Sequence, residues 1–457
     1  MKIKNLIKNP KNIFNLNNMP IVLGLIVLIN YFPLFFNNIN VKTSNAVSVK
    51  QMTIAFGIEL ILIFLYLIKK IKFNKKVIIN FAILFFTTIV MLIVQFFNYK
   101  NGIFQKMDLA NIFCIGINIF ILYIMFLNIN IEENNIYKFF VFIISIGICA
   151  CIVNIILYRQ EMLKLLGIGS SSKFYSIKSF FAQRNQFAFF LYTSIFSTIF
   201  LFIKTDKRKY KILLGIIFIL FGINLILTAS RTGILCTLAF LGLFFLFTDC
   251  IKIKTKIAII IGVLLLGCIL IGIIYNCYPD LWKKALNTIQ NIFIRGSSIK
   301  TFTGRSEFWN LATGILFVSP ISALFGIGRF VGINLLHSSG FNVTQFHSFY
   351  IEALVAGGIM ELIYLLSIYV FVMIGIIKSQ IEKKYKILYI CLYLTYGLYC
   401  CFESLGRFSI GCVDTMCLIF MITVPLVHSN SIKKLDNKKI DDTNKKSEEE
   451  NSKENVS

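Results

Sequence analysis

The 457-residue chain is 57% hydrophobic and only 15% charged, with a mean hydropathy of +0.78. Soluble domains carry about 25% charged residues, so this composition excludes a chain built mainly from soluble domains. The net charge of +25 could indicate a nucleic-acid partner, but the lysines concentrate in short segments between apolar runs. That distribution is typical of membrane topology, and we expect no nucleic-acid partner.

Apolar runs close to the ~20 residues that span a bilayer recur along the chain. They predict an all-α, polytopic integral membrane protein of about 12 transmembrane helices with one large extracytoplasmic loop. A cytoplasmic lead, 1–19, precedes the membrane domain, 20–428, and a disordered, charged cytoplasmic tail, 429–457, follows it. The predicted spans are 20–36, 53–68, 78–97, 109–129, 138–158, 186–203, 212–228, 233–248, 257–276, 351–377, 387–402 and 411–428.

Lysine clusters set the predicted orientation of these spans. The segments 69–76, 204–211 and 378–386 are short and rich in Lys, and short cytoplasmic loops carry an excess of Lys and Arg. Both termini are therefore expected to be cytoplasmic, with the connection 277–346 outside. The flipped orientation would expose these clusters on the outer face and is rejected.

The first five spans carry few features that indicate a function. The twelve cysteines of the chain are scattered, without zinc-ligand or disulfide-framework spacing, and we interpret them as small packing residues. Glu59 lies in the middle of the second span, where a carboxylate costs ~2.5–3.5 kcal/mol. It therefore has a partner or a wet cavity, or it is protonated and structural.

Polar residues first gather at the predicted outer ends of later spans. Arg184 and Asn185 begin the span 186–203, where they can bind an anionic or sugar ligand or simply start an interfacial helix. Ser230 and Arg231 lie in a tight turn between two spans, and Ser230 is placed to cap the second helix. Because Arg231 keeps its charge, it needs an anion or a wet site, or it extends to lipid phosphates.

The large loop starts with a predicted amphipathic helix, Leu281 to Phe293, and continues to Arg305. Arg305 is expected near a helix N-terminus, which together with its charge makes a suitable anion site. Residues 311–327 are apolar enough to suggest a thirteenth span. Pro320 and the segment 326–329 favour an interfacial or re-entrant segment instead.

The loop ends at His347-Ser348-Phe349-Tyr350, which opens a long apolar helix. An imidazole at a membrane boundary can move protons near neutral pH, although a histidine that only caps the helix is the simpler interpretation. With Arg231 and Arg305 expected at the same face, His347 suits group transfer from a membrane-anchored diphosphate. The arginines would hold the diphosphate, and the imidazole would accept a proton from the attacking hydroxyl.

The ordered set Ser230-Arg231-Thr232-Gly233, Thr303-Gly304-Arg305, Phe325-Gly326-Ile327-Gly328 and His347-Ser348-Phe349-Tyr350 resembles the O-antigen ligase and polymerase superfamily over about residues 180–375. The resemblance implies the membrane glycosyltransferase fold of O-antigen ligases. It implies an inverting, metal-independent glycosyltransferase with no cofactor, acting on a glycan donor linked to undecaprenyl diphosphate. The acceptor would be a glycan, a lipid or a protein, and membrane lipids would surround the enzyme.

The same resemblance assigns roles to residues. Arg231 and Arg305 would bind the diphosphate, and His347 would be the catalytic base. Arg184, Asn185 and Ser230 are further candidate substrate-binding residues, and no metal site is expected. The composition favours a capsular, exopolysaccharide or cell-wall glycan as the product.

Two other functions stay open at the level of sequence. A transporter, such as a flippase of lipid-linked oligosaccharide, also fits twelve spans, but transporters tend to have repeat-related halves and midplane polar sites. This chain shows no repeat, and its basic candidates cluster at one face. In a non-catalytic assembly protein, Arg231, Arg305 and His347 would be dispensable.

Overall fold

The computed structural model describes residues 133–159, 177–181, 183–249, 252–280, 305–341 and 345–405, with isolated residues 89, 93, 96, 283, 417, 418, 420–422, 424, 425, 428 and 429. Within these residues every regular element is an α-helix. The predicted spans before residue 133 and most of 411–428 lie outside the described residues. So do Glu59, nearly all of the predicted amphipathic helix 281–293, and both terminal segments.

The described helices coincide with predicted spans to within a few residues wherever both are present. Five helices are long and apolar enough to cross a membrane, α1 from Tyr137 onward, α2, α3, α9 and α10, and α4 is a shorter apolar helix. The described residues are thus all-helical in their regular structure and compatible with a polytopic membrane protein. The helices are α1 Glu133–Leu157, α2 Arg184–Lys204, α3 Arg208–Leu227, α4 Arg231–Phe247, α5 Ile253–Cys277, α6 Arg305–Leu316, α7 Pro320–Phe325, α8 Arg329–Ser338, α9 Phe349–Lys378 and α10 Lys383–Phe402.

Helix α2 lies at the centre of the described bundle and packs against α1, α3, α4 and α10. Its aromatic side chains fill the core, and Phe200 stacks on Phe140 of α1 with ring centroids 3.8 Å apart. Its buried hydroxyls bond to the carbonyl four residues earlier, which removes the cost of an unpaired polar group in an apolar interior. The residues that do so are Thr193, Ser194, Ser197 and Thr198.

Lysines gather at one end of the bundle and bind the ends of helices there. Lys256 Nζ donates to the carbonyls of Leu246 and Thr248, at 2.7 and 2.6 Å, and so caps the C-terminus of α4. Lys383 Nζ pairs with Asp249 Oδ2 at 2.7 Å and joins the start of α10 to the end of α4. Lys383, from the predicted cytoplasmic segment 378–386, therefore lies at the same end of the bundle as Lys256, and the segment 69–76 lies outside the described residues.

The apolar segment 311–327 is not one helix, because α6 ends at Leu316 and α7 begins at Pro320. Helix α7 packs backbone to backbone on α9 at a break in α9, where Gly358 has φ 69°. A Cβ on Gly358 would overlap the Leu324 carbonyl, and one on Gly326 would lie 2.6 Å from the Ala356 carbonyl carbon. The thirteenth span is therefore absent, and the segment returns along α9.

Candidate functional site

The turn between α3 and α4 confirms the predicted cap and places Arg231. Ser230 is the N-cap of α4, and its Oγ accepts a hydrogen bond from the Gly233 backbone N–H at 3.3 Å. Gly233 approaches α2 so closely that an added Cβ would lie 2.7 Å from the Ala188 Cβ. Arg231 is consequently the first residue of a helix that is fixed on the central helix α2.

Arg305 begins α6, as the sequence predicts, but its guanidinium is already engaged with protein groups. One Nη donates to the Phe402 carbonyl at 2.5 Å, and the other lies 3.7 Å from Glu403 Oε1. Burial lowers the pKa of Arg305, Glu403 opposes this shift, and the positive charge of Arg231 lowers the pKa further. Arg231 and Arg305, the two predicted diphosphate-binding residues, are therefore close enough for their charges to repel each other.

His347 lies in the segment that precedes α9, with a left-handed φ of 53°. Its Nδ1 is 3.5 Å from Glu403 Oε2 and 3.0 Å from Gln345 Nε2, and its side chain is 28% exposed. The N-cap of α9 is Ser348, which makes no side-chain capping bond. The simpler interpretation, a histidine that only caps the helix, is therefore not supported.

Glu403 joins these groups and is the residue that sequence reasoning missed. It follows α10 directly and is only 2% exposed. Its Oε1 accepts a hydrogen bond from Asn185 Nδ2 at 2.7 Å, and the same carboxylate faces Arg305 and His347. A sequence feature that could have identified it is its acidic charge at the outer end of the span 387–402. A buried cluster of cations needs such a counter-charge.

A second buried carboxylate fixes the segment that carries His347. Glu352, on the first turn of α9, pairs with Arg329 and accepts a hydrogen bond from the Phe346 backbone N–H at 3.3 Å. The Phe346 carbonyl in turn accepts from Trp309 Nε1 at 2.6 Å. Because both backbone groups of Phe346 are held, the position of the adjacent His347 backbone is fixed.

The candidate residues separate into those that form the cluster and those that support it. Glu403 contacts Asn185, Arg305 and His347, and the positive charge of Arg231 lowers the pKa of Arg305. Arg184 starts the helix turn that carries Asn185. Ser230 is buried and acts as a helix cap, so its observed role is structural.

The chain matches no protein-family model and no curated protein. Among the residues that the structure describes, no group of three or more His, Cys, Asp or Glu side chains is placed to hold a metal ion. The described helices are compatible with a polytopic membrane protein, and the buried Glu403 carboxylate joins Arg305 and the partly exposed His347 at the end of the bundle opposite the lysines.

Proposed function

We propose that this protein is a membrane glycan ligase or polymerase of the O-antigen ligase type. It transfers a glycan from undecaprenyl diphosphate to an acceptor hydroxyl at the outer face of the cell membrane, in the synthesis of a capsular, exopolysaccharide or cell-wall glycan. The observation that carries the proposal is the sharing of the Glu403 carboxylate by Arg305 and His347, with Arg231 beside Arg305.

The two ends of the bundle support the proposed orientation. The cluster lies at the N-termini of α2, α4 and α9 and at the C-terminus of α10, whereas the lysines lie at the opposite ends of these helices. Lysine-rich short loops favour the cytoplasmic side. In the proposed topology, both termini are cytoplasmic and the cluster faces outward, where the lipid-linked donor presents its glycan.

The contacts of His347 support its role as the base. A carboxylate beside Nδ1 favours the tautomer in which Nδ1 carries the proton, and Nε2 then has a free lone pair. Gln345 Nε2 also donates to Gln183 Oε1 at 3.4 Å. With both amides turned, the Gln345 oxygen faces Nδ1 and fits the same tautomer, since the two orientations of an amide are interchangeable. Nε2 accepts the acceptor hydroxyl proton as the hydroxyl oxygen bonds to the anomeric carbon. The bond from that carbon to the diphosphate oxygen breaks on the opposite face, which inverts the configuration.

The arginines suit the leaving group in this transfer. The departing diphosphate takes the electron pair of the broken bond, so negative charge grows on its oxygen, and fixed cations stabilise that charge. Arg305 donates one short bond to Phe402, while its contact with Glu403, at 3.7 Å, is longer than a normal hydrogen bond. A guanidinium has five N–H donors, so Arg305 retains donors for a phosphate.

Purified protein, undecaprenyl-diphosphate glycan and an acceptor test the proposal directly. Replacement of His347 by Ala is expected to lower turnover by ~10²–10⁴-fold, the usual contribution of a general base. His337→Ala is the matched control, since His337 is exposed on α8, and it is expected to keep most activity. The same assay with EDTA is expected to proceed at the same rate.

Three results would contradict the proposal or part of it. Unchanged turnover in His347→Ala would remove the base. Loss of activity with EDTA, restored by a divalent ion, would contradict a metal-independent reaction. Vesicles in which the protein moves the lipid-linked donor across the membrane without transferring its glycan would favour the flippase.

A further inference from the structure

Helices α6 and α7 form a hairpin that starts and ends at the outer end of α9. At its start, Trp309 donates to the carbonyl of Phe346, just before α9 begins. Leu316, the last residue of α6, lies about 10 Å farther along the helix axis at 1.5 Å per residue. From Leu324, which lies against Gly358, the chain runs along α9 toward its N-terminus. It reaches Arg329, which pairs with Glu352 on the first turn of α9.

The depth of the hairpin can be read from its contacts with α9. Leu324 lies against Gly358, nine residues along the chain from Phe349, the first residue of α9. Nine residues of helix span about 13 Å, and half of the hydrocarbon layer of a bilayer is about 15 Å. Because α9 is one of the helices long and apolar enough to cross a membrane, the turn of the hairpin lies near the depth of the bilayer centre.

The tip of the hairpin, residues 317–321, presents apolar side chains outward. Val318 is 82% exposed, and Phe317 and Ile321 are also exposed. The sequence contains no charged residue between Glu307 and Arg329. Turns that face water are usually polar, so a surface of this kind is typical of a non-aqueous environment.

The turn also satisfies several of its own polar groups, which favours a place in hydrocarbon, where water is not available to do so. Ser319 and Ser322 form a reciprocal capping box, with each hydroxyl accepting the other residue's backbone N–H at 3.1 and 3.3 Å. The Ser322 hydroxyl approaches the Leu316 carbonyl at 2.7 Å, which supplies a partner for the end of α6. Pro320 has no backbone N–H to satisfy. Water is not needed for any of these groups.

We infer that residues 305–325 form a re-entrant hairpin whose tip contacts the hydrocarbon chains of the outer leaflet. Depth, outward apolar side chains, absence of charge and internal hydrogen bonding independently point to lipid as the partner of this surface. The inference does not depend on glycan transfer, because it concerns only where the hairpin lies, and only the choice of leaflet rests on the proposed orientation.

Depth-dependent quenching tests this placement in the full chain. Val318→Cys, in a background without native cysteines, is labelled with an environment-sensitive fluorophore and reconstituted into phosphatidylcholine–phosphatidylglycerol vesicles. Ile363→Cys, exposed on α9 five residues beyond Gly358, is the lipid control at a similar depth, and Ser338→Cys, exposed at the end of α8, is the aqueous control. Ile321→Cys is a second reporter at the tip should the Val318 variant fail to fold.

The label at the tip is expected to behave like the label at Ile363. Lipids that carry a nitroxide deep in the acyl chain should quench it strongly, and aqueous iodide should quench it several-fold less than the label at Ser338. Iodide quenching equal to that at Ser338 would place the tip in water and overturn the inference. Protection from both quenchers would also overturn it, because protein, such as a second copy of the chain, would then cover the tip.

Discussion

Replacing Glu403 by Gln tests the residue that organises the candidate site. Gln has nearly the same shape and can still accept the hydrogen bond from Asn185, but it cannot balance the charge of Arg305 or favour a proton on His347 Nδ1. If Glu403 orients His347 and partly balances the positive charge of the arginines, its neutral replacement should slow transfer. Donor binding should be kept or strengthened, because the net positive charge beside the diphosphate rises.

The contact distances set the expected size of the effect. Only the bond to Asn185, at 2.7 Å, is a short charge-assisted hydrogen bond, worth ~1.5–3 kcal/mol with a charged acceptor and about half of that with a neutral one. The contacts with His347 and Arg305, at 3.5 and 3.7 Å, are longer and weaker. We therefore expect the fold to survive with a loss of ~1–2 kcal/mol and turnover to fall roughly 10- to 100-fold, or ~1.4–2.7 kcal/mol in barrier height.

The assay measures turnover at saturating donor, donor affinity and thermal stability on the same purified preparations. Glu307→Gln is the matched control, since Glu307 is exposed on the first turn of α6. Glu403→Asp keeps the charge but shortens the side chain by one methylene, and its turnover is expected to lie between those of Glu403→Gln and the native protein. A lower turnover constant with an unchanged or lower donor KM is the expected pattern.

Native turnover in a folded Glu403→Gln variant would refute this reasoning, because the charge of the carboxylate would then be unnecessary. A rise in donor KM with no change in turnover would also contradict it, and would limit Glu403 to holding the donor. An equal loss in Glu307→Gln would show that the effect is not specific to the buried carboxylate.

Three further substitutions examine the other charged groups of the candidate site. Arg231→Lys and Arg305→Lys keep a charge but lose the planar fork, and each is expected to lower kcat/KM by roughly 10- to 100-fold with normal membrane insertion; full activity of both would contradict diphosphate binding. Glu352→Gln weakens the pair with Arg329 and the bond to Phe346, and we expect lower turnover with unchanged donor affinity. A fall in donor affinity alone would contradict a role in positioning His347.

Much of the helical architecture follows from local sequence. Apolar runs of spanning length coincide with α2, α3, α9 and α10, because in a bilayer each segment must satisfy its own backbone hydrogen bonds. Ser230 was predicted as a helix cap from its type and position, and its hydroxyl accepts the Gly233 N–H. Features of this kind depend on a few neighbouring residues, so a single sequence contains them.

Features that depend on distant residues could not be predicted in the same way. Asn185 and Glu403 are 218 positions apart, and no periodicity connects them. Gly326 contacts α9 at a break at Gly357 and Gly358, and this contact joins residues more than 30 positions apart. The sequence placed the cations at one face through topology, but the identity of their counter-charge required the packed bundle.

The charge of the cluster explains why one carboxylate, rather than two or none, suits the proposed reaction. Burial, and to a smaller extent the positive charge of Arg231, lower the pKa of Arg305, and the Glu403 carboxylate opposes this shift. A second carboxylate in contact would neutralise the site and remove its attraction for a diphosphate. Glu352 is instead engaged by Arg329, so its charge is already compensated. With His347 neutral, Arg231, Arg305 and Glu403 leave one net positive charge, which is available to stabilise the negative charge that develops on a leaving diphosphate.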